Sequence, residues 1–151
     1  MEPLTVDGTL DSLSDIAKYV MAAAAAADLD KKTSYRLRLA VDEIATNIIV
    51  HGYEEAGREG TVVCQTTLTD DSLTITLEDT GEFYDPTKQA FPDDMDLPME
   101  QRKIGGLGVY LTIQGVDKFT YERANNKNRN IFVVNRIPST ATGTVPSSTA
   151  K

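Results

Sequence analysis

The sequence predicts an α+β protein, a two-layer α/β sandwich in which helices cover one face of a mostly antiparallel sheet. Three observations predict this fold class. Two pairs of strand-like runs are each joined by a short polar turn, an amphipathic helix precedes them, and strands and helices do not alternate as in a parallel sheet. The predicted order of elements is β-α-α-β-β-lid-α-β-β. A chain of 151 residues suits one domain with its own core.

The N-terminal part is predicted to hold one strand and two helices. Residues 4–10 form the strand. Ser12 followed by Asp15 resembles a capping box at the start of the first helix, which then runs through an alanine-rich stretch of high helix propensity. The second helix is predicted to begin near Thr33, to carry a continuous apolar stripe, and to end with Gly57 as its C-cap.

Two hairpins are predicted to complete the sheet. Residues 61–69 and 72–79 are rich in β-branched side chains and are separated by two aspartates, which predicts an antiparallel hairpin. Residues 116–123 and 130–137 are predicted to be the closing pair of strands. Asn125 to Asn128 supply the turn between them.

Three remaining segments set the limits of the domain. Residues 82–104 have no sustained period and contain three prolines, which is typical of a functional lid or a disordered segment. Residues 105–115 are predicted to be helical after a glycine cluster. The ATP-binding domain assigned below is expected to span residues 1–137, and residues 138–151 are expected to form a disordered tail because they offer almost no large apolar side chain.

Composition disfavours several classes of protein. The net charge is -8 without a Lys/Arg cluster, whereas a nucleic-acid binder normally shows a basic face. Cys64 is the only cysteine, which excludes an intramolecular disulfide and a cysteine zinc site, and we expect a buried, inert thiol. The N-terminus does not resemble a signal peptide, and the apolar stretch Val20 to Ala27 is shorter than the ~20 residues of a membrane span. We therefore expect a cytoplasmic protein that does not enter a membrane.

The second predicted helix carries a first group of candidate site residues. Glu43, Asn47 and His51 follow one another at intervals of four, which places them along one flank of a helix. Because this flank adjoins the apolar stripe, the three side chains should be partly buried. The alternative is a polar shoulder of the helix with Glu43 in solvent.

Asp79-Thr80-Gly81 ends the second strand of the first hairpin and forms the second candidate group. A carboxylate at this place can accept a hydrogen bond from an exocyclic amine such as that of adenine, and a glycine permits close approach of the backbone. The alternative is an ordinary turn, in which Asp and Gly are common.

Gly105-Gly106-Leu107-Gly108 precedes a predicted helix and forms the third group. Glycines at a helix start let a phosphate approach free backbone N–H groups. The segment lacks the Gly-Lys-[Ser/Thr] ending of a Walker motif, and no strand directly precedes it as in the dinucleotide fingerprint. The alternative is a flexible hinge that closes the lid.

Taken together and in this order, the three groups resemble the N, G1 and G2 boxes of the GHKL ATPase superfamily, which implies the Bergerat ATP-binding fold. VDEIATNIIVHGYEE from Val41, DTGEFYDP from Asp79 and IGGLGVYLTI from Ile104 are similar to the anti-sigma-factor serine/threonine kinases of the RsbW type. The resemblance covers roughly residues 5–137. One departure is the third glycine box, usually Gly-Thr-like, where residues 126–130 read NKNRN.

The resemblance implies ATP and Mg²⁺ as cofactors and assigns a role to each matching residue. Asn47 corresponds to the magnesium ligand, Glu43 to the general base, and Asp79 to the reader of the adenine amino group, with Gly81 under the base. The phosphate side matches Gly105, Gly106, Leu107 and Gly108. At the end of the lid, Arg102 and Lys103 stand where a cation can meet the γ-phosphate.

The implied function is a serine/threonine protein kinase that acts as an anti-sigma factor or partner-switching regulator. Its implied partners are a small antagonist protein of the anti-anti-sigma (STAS) type and a sigma factor or similar regulator, and similar proteins commonly form homodimers. A non-catalytic, ATP-dependent binding module is the alternative. A sensor histidine kinase is disfavoured because His51, the only histidine, lies inside the motif. The sequence does not identify the acceptor protein or the upstream signal.

Overall fold

Residues 1–86 and 112–136 are described by the computed structural model, and all structural statements below concern these two ranges. They contain β1 (Leu4–Asp7), α1 (Leu13–Ala26), α2 (Lys31–Asn47), β2 (Thr61–Leu68), β3 (Ser72–Asp79), β4 (Lys118–Ala124) and β5 (Lys127–Asn135). The strands form one sheet in the order β1-β2-β3-β5-β4, and every neighbouring pair is antiparallel. The predicted α+β fold with an antiparallel sheet is confirmed.

The core lies between the sheet and the two helices. Alternate side chains of β3 and β5 are buried and pair across the strands, with Leu73 opposite Val134 and Ile75 opposite Phe132. They pack in one cluster with the apolar stripes of both helices, which include Ile16, Val20, Leu37, Val41 and Ile44. Because residues i and i+2 of a strand share a face, this alternation commits one face of the sheet to the helices.

The start of each helix differs from its prediction. A 3₁₀ turn at Leu10–Ser12 leads into α1, and Ser12 makes no capping hydrogen bond through its side chain. The predicted capping box is therefore wrong, since Ser12 already has helical dihedral angles whereas a capping residue is extended. In α2, the extended residue Asp30 is the cap, because its carboxylate accepts from Thr33 N at 2.7 Å.

The end of the second helix contains a wider turn that the sequence analysis did not predict. α2 gives way at Ile48–Glu54 to a π-helical segment, in which Glu55 N bonds to the carbonyl five residues earlier at 2.8 Å. Gly57 then has a φ of +67°, and Arg58 N reaches back to Tyr53 O at 2.9 Å. This pattern is a Schellman ending, which confirms Gly57 as the terminating residue.

The closing hairpin has a tighter turn than predicted. Asn125 and Asn126 form a two-residue turn with φ of 56° and 63°, a conformation that asparagine tolerates better than most residues. Asn128 was predicted to belong to this turn. It instead lies in β5 with its side chain buried against Asp79, the residue opposite it in β3.

Several predictions fall on residues outside the two described ranges. These are the lid beyond Pro86, most of the helix predicted at 105–115, and the tail at 138–151, so the domain limits stay predictions. Of residues 112–115, the part of that helix inside the described ranges, Thr112 and Ile113 are helical and the next two form a turn. No helix in the described part of the chain is long and apolar enough to cross a membrane.

Candidate functional site

The C-terminal half of α2 brings Glu43 and Asn47 together. Asn47 is 7% exposed, and its Nδ2 is buried with no hydrogen-bond partner. Burial raises the pKa of the Glu43 carboxyl, and the nearby Asn47 amide lowers it in part. Because Nδ2 does not meet hydrogen-bond geometry, we interpret the effect of Asn47 on Glu43 as an electrostatic attraction rather than a formed bond. The expectation that this flank is partly buried is confirmed.

His51 lies in the π-helical segment that follows and packs beside the same flank. Its Nδ1 is 2.8 Å from Glu55 Oε1, and its ring stacks on Tyr84 with centroids 4.9 Å apart. Burial raises the pKa of the Tyr84 hydroxyl, and the negative charges of Glu43 and Glu55 raise it further. The tyrosine therefore stays uncharged and contributes an apolar surface near Glu43.

Asp79 is the last residue of β3, and its buried carboxylate has one oxygen without a hydrogen-bond partner. It is 3% exposed, and Oδ1 accepts from Gly81 N at 2.9 Å and from Asn128 Nδ2 at 3.0 Å. Oδ2 is buried with no hydrogen-bond partner. Burial raises the pKa of the carboxyl, while both hydrogen bonds and the Arg123 charge oppose the shift. An unpaired buried acceptor is costly, so this oxygen is a natural place for a donor from a ligand.

Gly81 is required by the approach of the turn to the helix. Glu82 N donates to Gly52 O at 2.9 Å, and a Cβ at position 81 would lie 2.8 Å from that same carbonyl oxygen. The backbone of the Asp79-Thr80-Gly81 turn therefore rests directly on the π-helical segment. At this glycine the sequence predicted either close approach to a ligand or an ordinary turn, and the structure adds a contact within the protein.

Tyr53 holds the Asp79-Thr80-Gly81 turn through its hydroxyl, and the sequence did not predict this role. Its hydroxyl donates to Thr61 O at 2.7 Å and accepts from Thr80 N at 2.9 Å. Gly8 and Gly60 leave room for the ring, since a Cβ at either would come within 3 Å of it. In the sequence, Tyr53 is only a tyrosine that follows a glycine, two positions after His51. Its spacing does not connect it to Asp79.

Asn128 and Asn130 of β5 extend the site and were also missed as site residues. Asn128 Nδ2 donates to Asp79 Oδ1 and also to Gly81 O at 3.2 Å, and its Oδ1 accepts from Arg123 Nη1 at 2.8 Å. Asn130 is 1% exposed, and its Oδ1 is buried without a partner. The strand period could have found both residues, because they alternate with less buried positions ahead of Phe132.

The phosphate side of the site is not described. Gly105, Gly106, Leu107 and Gly108, together with Arg102 and Lys103, lie outside the described residues, so their roles stay predictions. What the structure does bring together is α2, the turn after β3 and the start of β5. This arrangement offers an open acceptor at Asp79, an amide at Asn47 and a carboxylate at Glu43.

Comparison with known proteins gives the following relatives. The profile of a family described as Histidine kinase-like ATPase domain matches residues 6–134. Serine-protein kinase RsbW of Bacillus cereus is 35% identical over 78 residues, or 50% of this chain and 48% of that protein. Serine-protein kinase RsbW of Staphylococcus aureus is 30% identical over 86 residues, or 55% of this chain and 54% of that protein. The chain thus spans about half the length of the curated relatives it matches.

Solved structures resemble the chain in fold. The histidine kinase domain from the blue-light activated histidine kinase of Erythrobacter litoralis superposes with a TM-score of 0.50 at 19% identity, covering 82% of this chain and 59% of that chain. A second structure of that kinase gives a TM-score of 0.50 at 18% identity, covering 81% and 41%. At these identities the likeness concerns the fold alone.

Proposed function

Because the chain belongs to the histidine kinase-like ATPase domain family, we propose that it is an ATP-binding serine/threonine protein kinase that acts as an anti-sigma factor or partner-switching regulator. One observation carries the proposal. The buried carboxylate Asp79 has an oxygen without a hydrogen-bond partner, and the turn that follows it rests on the π-helical segment that continues the helix carrying Glu43 and Asn47. A base-recognising acid and a proton-accepting acid are thereby available in one site.

Adenine is the base that suits Asp79. A carboxylate oxygen accepts hydrogen bonds and cannot donate while ionised, so Oδ2 favours an exocyclic amine over a carbonyl. The hydrogen bond would also satisfy an acceptor that is otherwise buried and unpaired. We therefore assign Asp79 to the adenine amino group and Gly81 to the position under the base.

The residues fit a magnesium ion that is held mainly by the nucleotide. In the described ranges, no group of three or more His, Cys, Asp and Glu side chains could hold a metal ion. Magnesium prefers oxygen ligands and usually keeps several waters while bound to phosphate oxygens, so one protein ligand is enough. We assign that ligand to the amide oxygen of Asn47. When bound, the ion would neutralise charge on the triphosphate.

Glu43 is the proposed general base. Its carboxylate would take the proton from a serine or threonine hydroxyl as the hydroxyl oxygen forms a bond to the γ-phosphorus. The bond between that phosphorus and the β–γ bridging oxygen would break, and ADP would leave. The raised pKa of the partly buried Glu43 suits this role, because it makes the carboxylate a better proton acceptor.

The proposed partners come from the family resemblance. The two curated relatives are named serine-protein kinases, and anti-sigma-factor kinases of this type phosphorylate a small STAS-type antagonist and bind a sigma factor. We extend both partners, and assembly as a homodimer, to this chain. Arg102, Lys103 and the glycines at 105, 106 and 108 would complete the phosphate side.

The decisive test replaces Glu43 with Gln. Partners captured from the native host would be incubated with the protein and γ-labelled ATP, and ATP binding would be measured separately by calorimetry. We expect Glu43→Gln to reduce transfer about 100-fold or more while ATP binding survives. Glu54→Gln, an exposed glutamate nearby, is the matched control. Normal transfer by Glu43→Gln would show that Glu43 is not the base. Partner binding without any transfer by the unaltered protein would instead indicate a non-catalytic, ATP-dependent module.

A further inference from the structure

The side-chain amide of Asn128 is fixed in one orientation by its neighbours. One end contacts Arg123 Nη1 at 2.8 Å and the Tyr121 hydroxyl. A guanidinium can only donate hydrogen bonds, so the atom it contacts must be the amide oxygen. The other end is then the nitrogen, which has two hydrogens to donate.

The nitrogen end holds the turn after β3. Asn128 Nδ2 lies 3.0 Å from Asp79 Oδ1, 3.2 Å from Gly81 O and 3.4 Å from Glu82 O, all of which are acceptors. Together with Gly81 N, it fills the Oδ1 side of the Asp79 carboxylate. The other carboxylate oxygen, Oδ2, is buried and has no hydrogen-bond partner.

The two donors that fix Asn128 are themselves held by the segment that follows Gly81. The Arg123 guanidinium carbon lies 5.7 Å from the centre of the Phe83 ring, within range of a cation–π interaction. The same ring packs edge-on against Tyr121 with centroids 6.0 Å apart. The contacts thus link β3 to β5, β5 to β4, and β4 back to the segment that follows the turn after β3.

We propose that Asn128, oriented by Arg123 and Tyr121, is a positioning residue that makes Asp79 selective for a 6-aminopurine. The inference rests on the proposed binding of ATP at Asp79. Without Asn128, the carboxyl group could turn either oxygen inward and could take up a proton, and a protonated carboxyl donates as well as accepts. With Asn128 and Gly81 N bonded to Oδ1, only Oδ2 is left to accept from the ligand, and both hydrogen bonds favour the ionised carboxylate.

The test uses two nucleotides that differ only at the amino group. ATP and purine riboside 5′-triphosphate, which has hydrogen in place of the 6-amino group, are titrated into the protein by calorimetry. We expect the unaltered protein to bind ATP at least about tenfold more tightly, which is typical of a hydrogen bond to a charged acceptor. The ratio of the two dissociation constants measures selectivity and is insensitive to a general loss of affinity.

Asn128→Ala should reduce this ratio to about twofold or less, because binding of ATP weakens more than binding of purine riboside triphosphate. Arg123→Met keeps Asn128 and removes one of the two donors that fix it, so it should reduce the ratio by about threefold or more. Arg129→Met is the matched control. Arg129 is on the same hairpin but contacts Glu78 and Glu122, and its variant should keep the ratio of the unaltered protein.

The outcomes separate the two proposals. If the unaltered protein binds both nucleotides equally, Asp79 does not read the amino group and that part of the proposed function fails. If the unaltered protein discriminates and both Asn128→Ala and Arg123→Met retain the full ratio, Asn128 has only a structural role and the inference is overturned. Arg123→Met decides alone should Asn128→Ala not fold, because Arg123 lies on the edge strand and is partly exposed.

Discussion

The backbone of Gly81 lies directly against that of Gly52, so that a Cβ on Gly81 would approach the Gly52 carbonyl oxygen to 2.8 Å. This contact joins the turn after β3 to the π-helical segment after α2. The φ of Gly81 is not in the left-handed region, so the demand for glycine there is one of space. The two parts of the candidate site are thus held at a fixed separation by backbone contact.

Gly81→Ala should destabilise the protein by about 1–3 kcal/mol, because the added methyl group forces the turn away from the helix. It should also weaken ATP binding by displacing Asp79. Gly52→Ala is the matched control on the other side of the contact, where a Cβ would meet its nearest neighbour at 3.7 Å. Urea unfolding of both variants checks the prediction, which is wrong if they are equally stable.

Tyr53→Phe should cost about 1–3 kcal/mol of stability, since it removes a hydroxyl that bonds to Thr61 O and Thr80 N and leaves both groups short of a partner. Thermal and urea unfolding would measure the change. Tyr35→Phe removes a hydroxyl from a residue that is 56% exposed and should change stability little. Equal stability of the two variants would mean that the buried hydroxyl does not hold the turn.

Asp79→Asn should abolish the stabilisation of the protein by ATP without reducing the stability of the ligand-free protein at pH 7. Burial raises the pKa of Asp79 in the folded state, so this carboxyl adds stability at low pH that is lost as the pH rises through its folded pKa. The unaltered protein should therefore gain stability relative to Asp79→Asn as the pH falls from 7 to 3.8, the ordinary pKa of an aspartic acid.

Urea unfolding at both pH values measures this relative change. Asp70→Asn, in the exposed turn between β2 and β3, serves as the control for loss of one negative charge. A stability difference between Asp79→Asn and the unaltered protein that does not vary with pH would contradict a raised pKa at Asp79.

Cys64 should resist thiol reagents in the native protein. The side chain is fully buried in β2, and burial raises the pKa of its thiol to about 12, so almost no thiolate forms at neutral pH. Labelling by an aromatic disulfide should be limited by unfolding and should accelerate in urea. Thr67→Cys adds an exposed thiol on the same strand as a fast-reacting control. Rapid labelling of Cys64 without denaturant would refute the prediction.

The fold could be predicted because its signals are local. The β2–β3 hairpin follows from runs of β-branched residues around a two-aspartate turn, and α2 follows from its apolar stripe. The helix starts were less predictable. Ser12 has the right side chain for a cap but helical dihedral angles, while Asp30, three positions upstream of the predicted start, is extended and makes the bond.

Only those parts of the candidate site could be predicted whose residues are recognisable by their type and spacing in the sequence. Glu43, Asn47 and Asp79 stand out as polar residues beside apolar patterns. Asn128 and Tyr53 could not be connected to Asp79 in this way, because their roles depend on strand register and on a hydroxyl that reaches a turn 27 positions away. Register is a property of the assembled sheet, which a reading of separate segments does not contain.

The π-helical segment Ile48–Glu54 determines how the site responds when a residue is deleted from this part of the chain. A π-helical turn holds more residues than an α-helical turn, so the segment carries a surplus residue relative to a regular helix. Deleting one residue there would leave a continuous helix but would rotate Gly52 away from Gly81. An ordinary helix end would tolerate such a deletion. Here the deletion would displace Asp79, because the turn that follows Asp79 rests on Gly52. The length of this segment is as much a part of the site as its side chains.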